Sequence, residues 1–347
     1  MKKALIVLLA LAMAGGLFAQ EVSFSGHVQT GMFIQIWDAD DDVHVKADDD
    51  DANVPLRTDF TASVDEGDWG VVIGFRSDFQ DVGFHNAYGW LKFIDMIKVS
   101  AGLIDDGVWG TAGELDDNVS TGGGLRVEVM PIPGLNVGAF FSYPDGGIAA
   151  GKVANWFQET AIGFSYEADL FNVAAALKLY SKESTTGNDD NKQTEFDKTD
   201  MRVIWGFGLN LIPGLNLHFD GGIWGLGKYS DLGWMEFYEE ADFGVTSALT
   251  VGIVLGQAIV SGDGFVYFGA KPWVEFAVND ALLVGADVGI AMRKSDKMGL
   301  ASIFADAYAT YTIGGGSVTL GYGFENLTKD WGDSLDHYIK LIFAWDF

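Results

Sequence analysis

His337-Tyr-Ile-Lys-Leu-Ile-Phe-Ala-Trp-Asp-Phe347 alternates an apolar set, Ile339, Leu341, Phe343, Trp345 and Phe347, with Tyr338, Lys340, Ile342, Ala344 and Asp346. Successive side chains of a strand point to opposite faces, so one face of this segment is wholly apolar and the other carries an ammonium and a carboxylate. A soluble sandwich shows the same alternation, so the rest of the chain has to decide between a packed core and a wall that faces lipid.

The 347 residues include 46 Gly, only 6 Pro and no Cys, are 14% aromatic and 48% hydrophobic, and carry a formal net charge of −28. So aromatic a chain is not disordered, and so acidic a chain is not a nucleic-acid binder. With no cysteine there is neither a disulfide framework nor a thiol for a lipid anchor. Lys2 and Lys3 precede the apolar run 4–14 and the small-residue stretch ending at Ala19. That is the pattern of a secretory signal peptide over residues 1–19, too short for a comfortable membrane span. It leaves residues 20–347 as one barrel domain.

Short alternating segments recur along those 328 residues (347 minus 19). Sixteen are predicted as strands: 22–37, 54–64, 69–79, 85–93, 97–104, 121–130, 135–143, 158–168, 171–180, 200–211, 215–225, 265–277, 282–292, 301–312, 317–325 and 337–347. Their lengths bracket the roughly 9–11 residues of a tilted transmembrane strand. Short connections (65–68, 94–96, 131–134, 279–281, 314–316) alternate with long ones (38–53, 105–120, 181–199, 226–240, 326–336), which hold most of the surplus Asp and Glu. Ile132-Pro-Gly-Leu-Asn136 recurs as Ile212-Pro-Gly-Leu-Asn216, 80 residues later (212 minus 132). Pro-Gly suits the centre of a type II turn, and four strands of about 20 residues each return the chain to the same rim. Residues 243–262 carry no charge. Length alone would allow a membrane helix there, but Thr246, Ser247, Thr250, Gln257 and several Gly favour an extra hairpin or a segment folded inside the barrel. The reading is an all-β, antiparallel, up-and-down barrel of about sixteen strands, with eighteen as the alternative.

Taking the more apolar set of each strand as outward points Arg57, Asp59, Arg76, Asp78, Arg126, Glu128, Lys178, Arg202, Asp287, Asp306 and Lys340 into the lumen. A charge on the lipid face costs about 2–4 kcal/mol near the midplane, which forces the inward assignment. Eight strands would fill their own interior, whereas sixteen or more leave an aqueous channel.

In its leader, its alternation of strands and loops over nearly the whole remaining length, and its final Phe347, the chain resembles the bacterial general porins. The leader's Ala-Gly-Gly-Leu-Phe-Ala ending is also similar to that of spirochaetal outer-membrane proteins. The resemblance implies an outer-membrane location among lipid, passive diffusion of small hydrophilic solutes and ions, and a homotrimer. It also implies a barrel-assembly machinery that reads Phe347, with Trp345 and Phe343, as a signal. In that family the third external loop narrows the channel. By strand order it is residues 105–120 here, whose Asp105, Asp106, Glu114, Asp116 and Asp117 would face Arg57, Arg76 and Arg126. The loop lacks the family's short Pro-Glu-Phe-Gly type motif.

Other readings are weaker. Inward Arg and Asp would equally serve to pair across neighbouring strands and stiffen the wall. The acidic run 38–42 with Asp48 to Asp51 lacks the Gly and terminal Glu of a calcium loop and reads as a solvated face, which would raise cation concentration at a mouth. Trp37, Trp109, Trp224, Trp234 and Trp331 near the rims read as interfacial girdle residues, with sugar stacking as the alternative. His27, His44, His85, His218 and His337 show no nucleophile elbow and no His-Glu-x-x-His, and Gly122-Gly-Gly124 is not a phosphate loop. No enzyme activity, metal or cofactor is expected. The expectation is a diffusion pore with mild cation preference; the alternatives are a closed-lumen surface adhesin or structural barrel, and a sugar-selective porin.

Overall fold

The computed structural model describes residues 22–37, 44–46, 57–78, 82–104, 107–109, 122–142, 160–186, 193–224, 234–260, 264–294, 298–326 and 336–347. Its strands are β1 (Val22–Trp37), β2 (His44–Lys46), β3 (Arg57–Asp65), β4 (Trp69–Asp78), β5 (Val82–Phe93), β6 (Ile97–Ile104), β7 (Gly122–Val129), β8 (Leu135–Ser142), β9 (Ala161–Ala168) and β10 (Phe171–Thr186). There follow β11 (Gln193–Ile212), β12 (Leu215–Trp224), β13 (Trp234–Gly244), β14 (Leu249–Val260), β15 (Gly264–Asn279), β16 (Leu282–Lys294), β17 (Met298–Ile313), β18 (Gly316–Asn326) and β19 (Asp336–Asp346).

From β3 to β19 each strand pairs antiparallel with the next, and β1 pairs with β3 on one edge and β19 on the other. The ring is therefore closed by eighteen strands. The short β2 pairs with β1 beyond the point where β3 ends, through Phe33 opposite Lys46 and Gln35 opposite His44. Closure leaves no edge with unpaired backbone groups.

Of the two expected counts it is the alternative, eighteen, that holds in place of sixteen, and the extra hairpin is β13–β14. Residues 234–240, expected as part of a long loop, are strand, and the uncharged run 243–262 supplies the turn at 245–248 and β14. Among the described residues of that run there is no helix. The expected loop 181–199 is also shorter, since β10 and β11 stay paired out to Thr186 opposite Gln193.

The tight turns bear out the Pro-Gly reading. Gly134 and Gly214 have φ of 81° and 82°, the left-handed value that the third residue of a type II turn needs. Leu135 N donates to Ile132 O at 3.2 Å, closing the first of them. The two turns join β7 to β8 and β11 to β12, so they lie on one rim, four strands apart.

Register fixes the two faces. Arg57, Asp59, Thr61 and Ser63 lie opposite Asp78, Arg76, Gly74 and Val72, while Phe60, Ala62 and Val64 lie opposite Phe75, Ile73 and Val71 on the other face. The outer face exposes large apolar side chains all round, among them Phe24, Val71, Leu91, Ile162, Phe219, Ile253, Phe276, Val288 and Leu320. Buried hydrophobics gather on the inner face instead: Tyr88, Ile104, Phe140, Ala161, Ala176 and Ile204 form one cluster with Trp109.

At the seam, Phe347 N donates to Gly26 O at 3.0 Å and Gly26 N donates to Phe347 O at 2.8 Å, and the Phe347 ring lies against Gly26. Phe343 and Trp345 stack on the outer face with centroids 6.1 Å apart.

Candidate functional site

The candidate site is the inner wall, and its charges are arranged in three groups. On β3 and β4, Asp59 is held between two guanidinium groups. Arg57 Nε donates to Asp59 Oδ2 at 2.6 Å and Arg76 Nε to Asp59 Oδ1 at 2.9 Å. The arginines keep about two-fifths of their side-chain surface open, so this cluster faces the lumen and carries a net positive charge. Asp78 stands opposite Arg57 in register.

The second group is buried. Arg126 Nε donates to Glu128 Oε2 at 3.1 Å, with side chains only 2% and 3% exposed. Asn136 Nδ2 donates to Glu128 Oε1 at 2.8 Å, and Trp109 Nε1 donates to Asn136 Oδ1 at 3.3 Å. Ser165 Oγ donates to the Val108 carbonyl at 2.9 Å. A piece of the segment between β6 and β7, residues 107–109, is thereby anchored to the inward faces of β8 and β9.

Trp109 was expected at a rim and is instead fully buried. Its indole occupies a notch left by Gly138 and Gly163, which face each other across β8 and β9. Sequence gave no sign of this, because two unremarkable glycines on separate strands make the notch. A cavity of about 790 Å³ lies between Val108 and the turn 131–134, lined by Asn136, Ser165, Glu167 and Asn172.

On the opposite arc Lys340 Nζ donates to Asp306, and Tyr338 donates to Asp306 Oδ2 at 3.3 Å. Tyr308 donates to Glu275 Oε1 at 2.5 Å, and Asp287 stands opposite Asp306 in register. These groups were not assembled by the sequence reading, which placed Asp287, Asp306 and Lys340 inward but did not foresee Glu275 or the two tyrosines.

Register also shows a division around the ring. Inward positions on β3–β11 include Arg57, Arg76, Lys98, Arg126, Lys178 and Arg202. Those on β12–β17 include Asp220, Glu236, Glu240, Asp242, Glu275, Asp287 and Asp306. Lys271 and Arg293 interrupt the acidic arc, and Asp59, Asp65, Asp78, Glu128 and Glu167 the basic one. His337 faces out: its Nδ1 is 2.6 Å from the Tyr322 hydroxyl on the outer face. His27 and His218 face inward, beside Asp346 at 2.7 Å and Asp220 at 2.9 Å. Asp105, Asp106, Glu114, Asp116, Asp117 and Trp331 lie outside the described residues.

Comparison with known proteins adds the fold. No protein-family model matches the chain, and no curated protein matches it in sequence. Among solved structures, OccAB3 of Acinetobacter baumannii superposes with a TM-score of 0.60 at 11% identity, over 94% of this chain and 99% of that one. The loop-deleted OmpT of Vibrio cholerae, an outer-membrane protein, gives 0.53 at 16% identity, over 94% and 100%. A triple mutant of the Rhodopseudomonas blastica porin gives 0.52 at 11% identity, again over 94% and 100%. The fold is that of the outer-membrane porins. A porin barrel presents an apolar belt outward and a polar wall inward, the division found here in the register.

Proposed function

We propose that the chain is an outer-membrane porin that lets small hydrophilic solutes and ions diffuse passively. The observation that carries this is the inner wall: a ring of eighteen strands encloses side chains of both charges, while the outer face is apolar. Eighteen strands leave room for water, unlike eight. Residues 1–19 would direct export, and self-association as a trimer belongs to the same reading, since a V. cholerae OmpT structure is described as a trimer form.

The segment 107–109 narrows the lumen from the β8–β9 side in this reading, and the remaining passage lies between the basic and acidic arcs. Opposite charges across a water-filled passage orient a polar solute and favour it over an apolar one. The acidic connections at the mouth would give a mild preference for cations. No chemical step is part of this function.

Single-channel recording of the refolded chain in a planar bilayer, under a salt gradient, tests it. Stable current steps with a cation-selective reversal potential are expected. Folded protein that gives no steps would sink the pore and leave a closed barrel that acts through its outer connections.

A further inference from the structure

Among the described side chains, the outer face carries a carboxylate away from the strand ends at one place. Glu239 lies opposite Phe219 and Leu255, both outward, so its carboxylate faces out of the barrel. It is the sixth of the eleven residues of β13, five from either end, and among the described side chains it is the one outward carboxylate away from a strand end. Gln257 on β14 joins it, donating through Nε2 to Glu239 Oε2 at 2.9 Å and Oε1 at 3.1 Å. An ionisable group at this depth marks a contact by default, because acyl chains offer it no partner.

We infer that the outer face of β13 and β14, centred on Glu239 and Gln257, is where a second copy of this chain packs in the membrane. Gln257 satisfies only part of what the carboxylate can accept, and among the described residues its own carbonyl remains to be matched. The pair therefore presents open acceptors together, at a depth that another copy in the same bilayer shares. The flanking surface fits a protein better than lipid: Trp205 lies over Gly221 and meets Phe237 edge-on at 6.2 Å, a fixed aromatic ridge beside the small Ala241. A cationic lipid headgroup would have to leave the interface to reach the pair. The inference rests on the self-association proposed above and on nothing about conduction.

The chain has no cysteine, so single cysteines can be placed cleanly. Ala241→Cys is outward next to the pair, and Ala101→Cys is outward on β6, on the other arc. Each is labelled with a benzophenone maleimide in isolated outer membranes and irradiated. A product of twice the chain's mass is expected from Ala241→Cys and not from Ala101→Cys. The same membranes carrying Glu239→Leu with Gln257→Leu should lose most of the detergent-extracted oligomer, with heat-modifiable mobility on gels confirming a folded barrel. Equal cross-linking from both sites, or a product whose mass is not a whole multiple of the chain's, overturns the inference. An oligomer that persists while Ala241→Cys stays unlinked overturns the face but keeps self-association; no oligomer at all overturns both. The cysteine variants retain the pair, so they decide the matter even where the double leucine variant fails to fold.

Discussion

A Cβ on Gly163 would sit 2.7 Å from the Cβ of Trp109, so the indole and the missing side chain occupy the same space. Gly163→Ala must displace Trp109 from the wall, and Trp109→Ala empties the notch. Removing a fully buried Trp costs about 3–5 kcal/mol, to be read as a lower urea midpoint of the refolded barrel. Both variants should change single-channel conductance in the same sense, Gly163→Ala with the smaller stability loss. Unchanged conductance in both would mean that 107–109 does not shape the passage.

Arg126 and Glu128 are both buried, and Arg126→Ala leaves the carboxylate without its ion pair. Breaking such a pair from one side costs about 3–5 kcal/mol, so folding yield should drop sharply. Arg126→Met combined with Glu128→Gln removes both charges and should recover most of the loss; a double variant as unstable as the single one would refute the argument.

The Arg57–Asp59–Arg76 cluster sets the charge on one side of the lumen. Asp59→Asn leaves two adjacent guanidinium groups there and should move the reversal potential toward anions. Arg57→Ala with Arg76→Ala should move it toward cations, and shifts in the same direction would show that the cluster lies off the ion path.

Tyr308→Phe removes a hydrogen bond to the Glu275 carboxyl group and should lower stability by about 1–2 kcal/mol. Denaturant titration beside the parent protein gives the value, and an effect within error would mean that water replaces the hydroxyl.

The sequence carried most of the barrel and little of its interior furnishing. Sixteen strands were legible from alternation, but β13 and β14 break it in opposite ways. In β13 the inward Glu236, Tyr238, Glu240 and Asp242 sit at period two, and the outward Glu239 fills the gap so that the segment reads as an acidic loop. In β14 the inward positions are Gly252, Val254, Gly256 and Ala258, so both faces look apolar and the run imitates a helix. The small residues there are explained across the strand pair, where the Trp273 ring lies over Gly252 and Tyr267 approaches Gly256, contacts between strands that a one-dimensional pattern cannot contain. The inward Arg57, Asp59, Arg76, Arg126, Glu128, Arg202 and Lys340 were legible because solvation dictates their side. Which of them would touch was set by register, and the burial of Trp109 by a loop finding two distant glycines.

The seam has a consequence for how the molecule comes into being. His27 and Asp346, 319 positions apart, are neighbours, so the pairing that completes the ring brings together almost the full contour of the chain. Closing so long a loop carries a high entropic barrier and gives slow folding. Until it happens, a curved sheet of seventeen or eighteen strands has two bare edges, each a template for joining the wrong neighbour. Deleting Phe347 removes two of the seam's hydrogen bonds, and the expected result is a protein made in normal amounts that accumulates as aggregate, visible as a loss of the heat-modifiable band. Lifetime in that unfinished form, more than the strength of the finished wall, would then limit how much of this protein a cell can install.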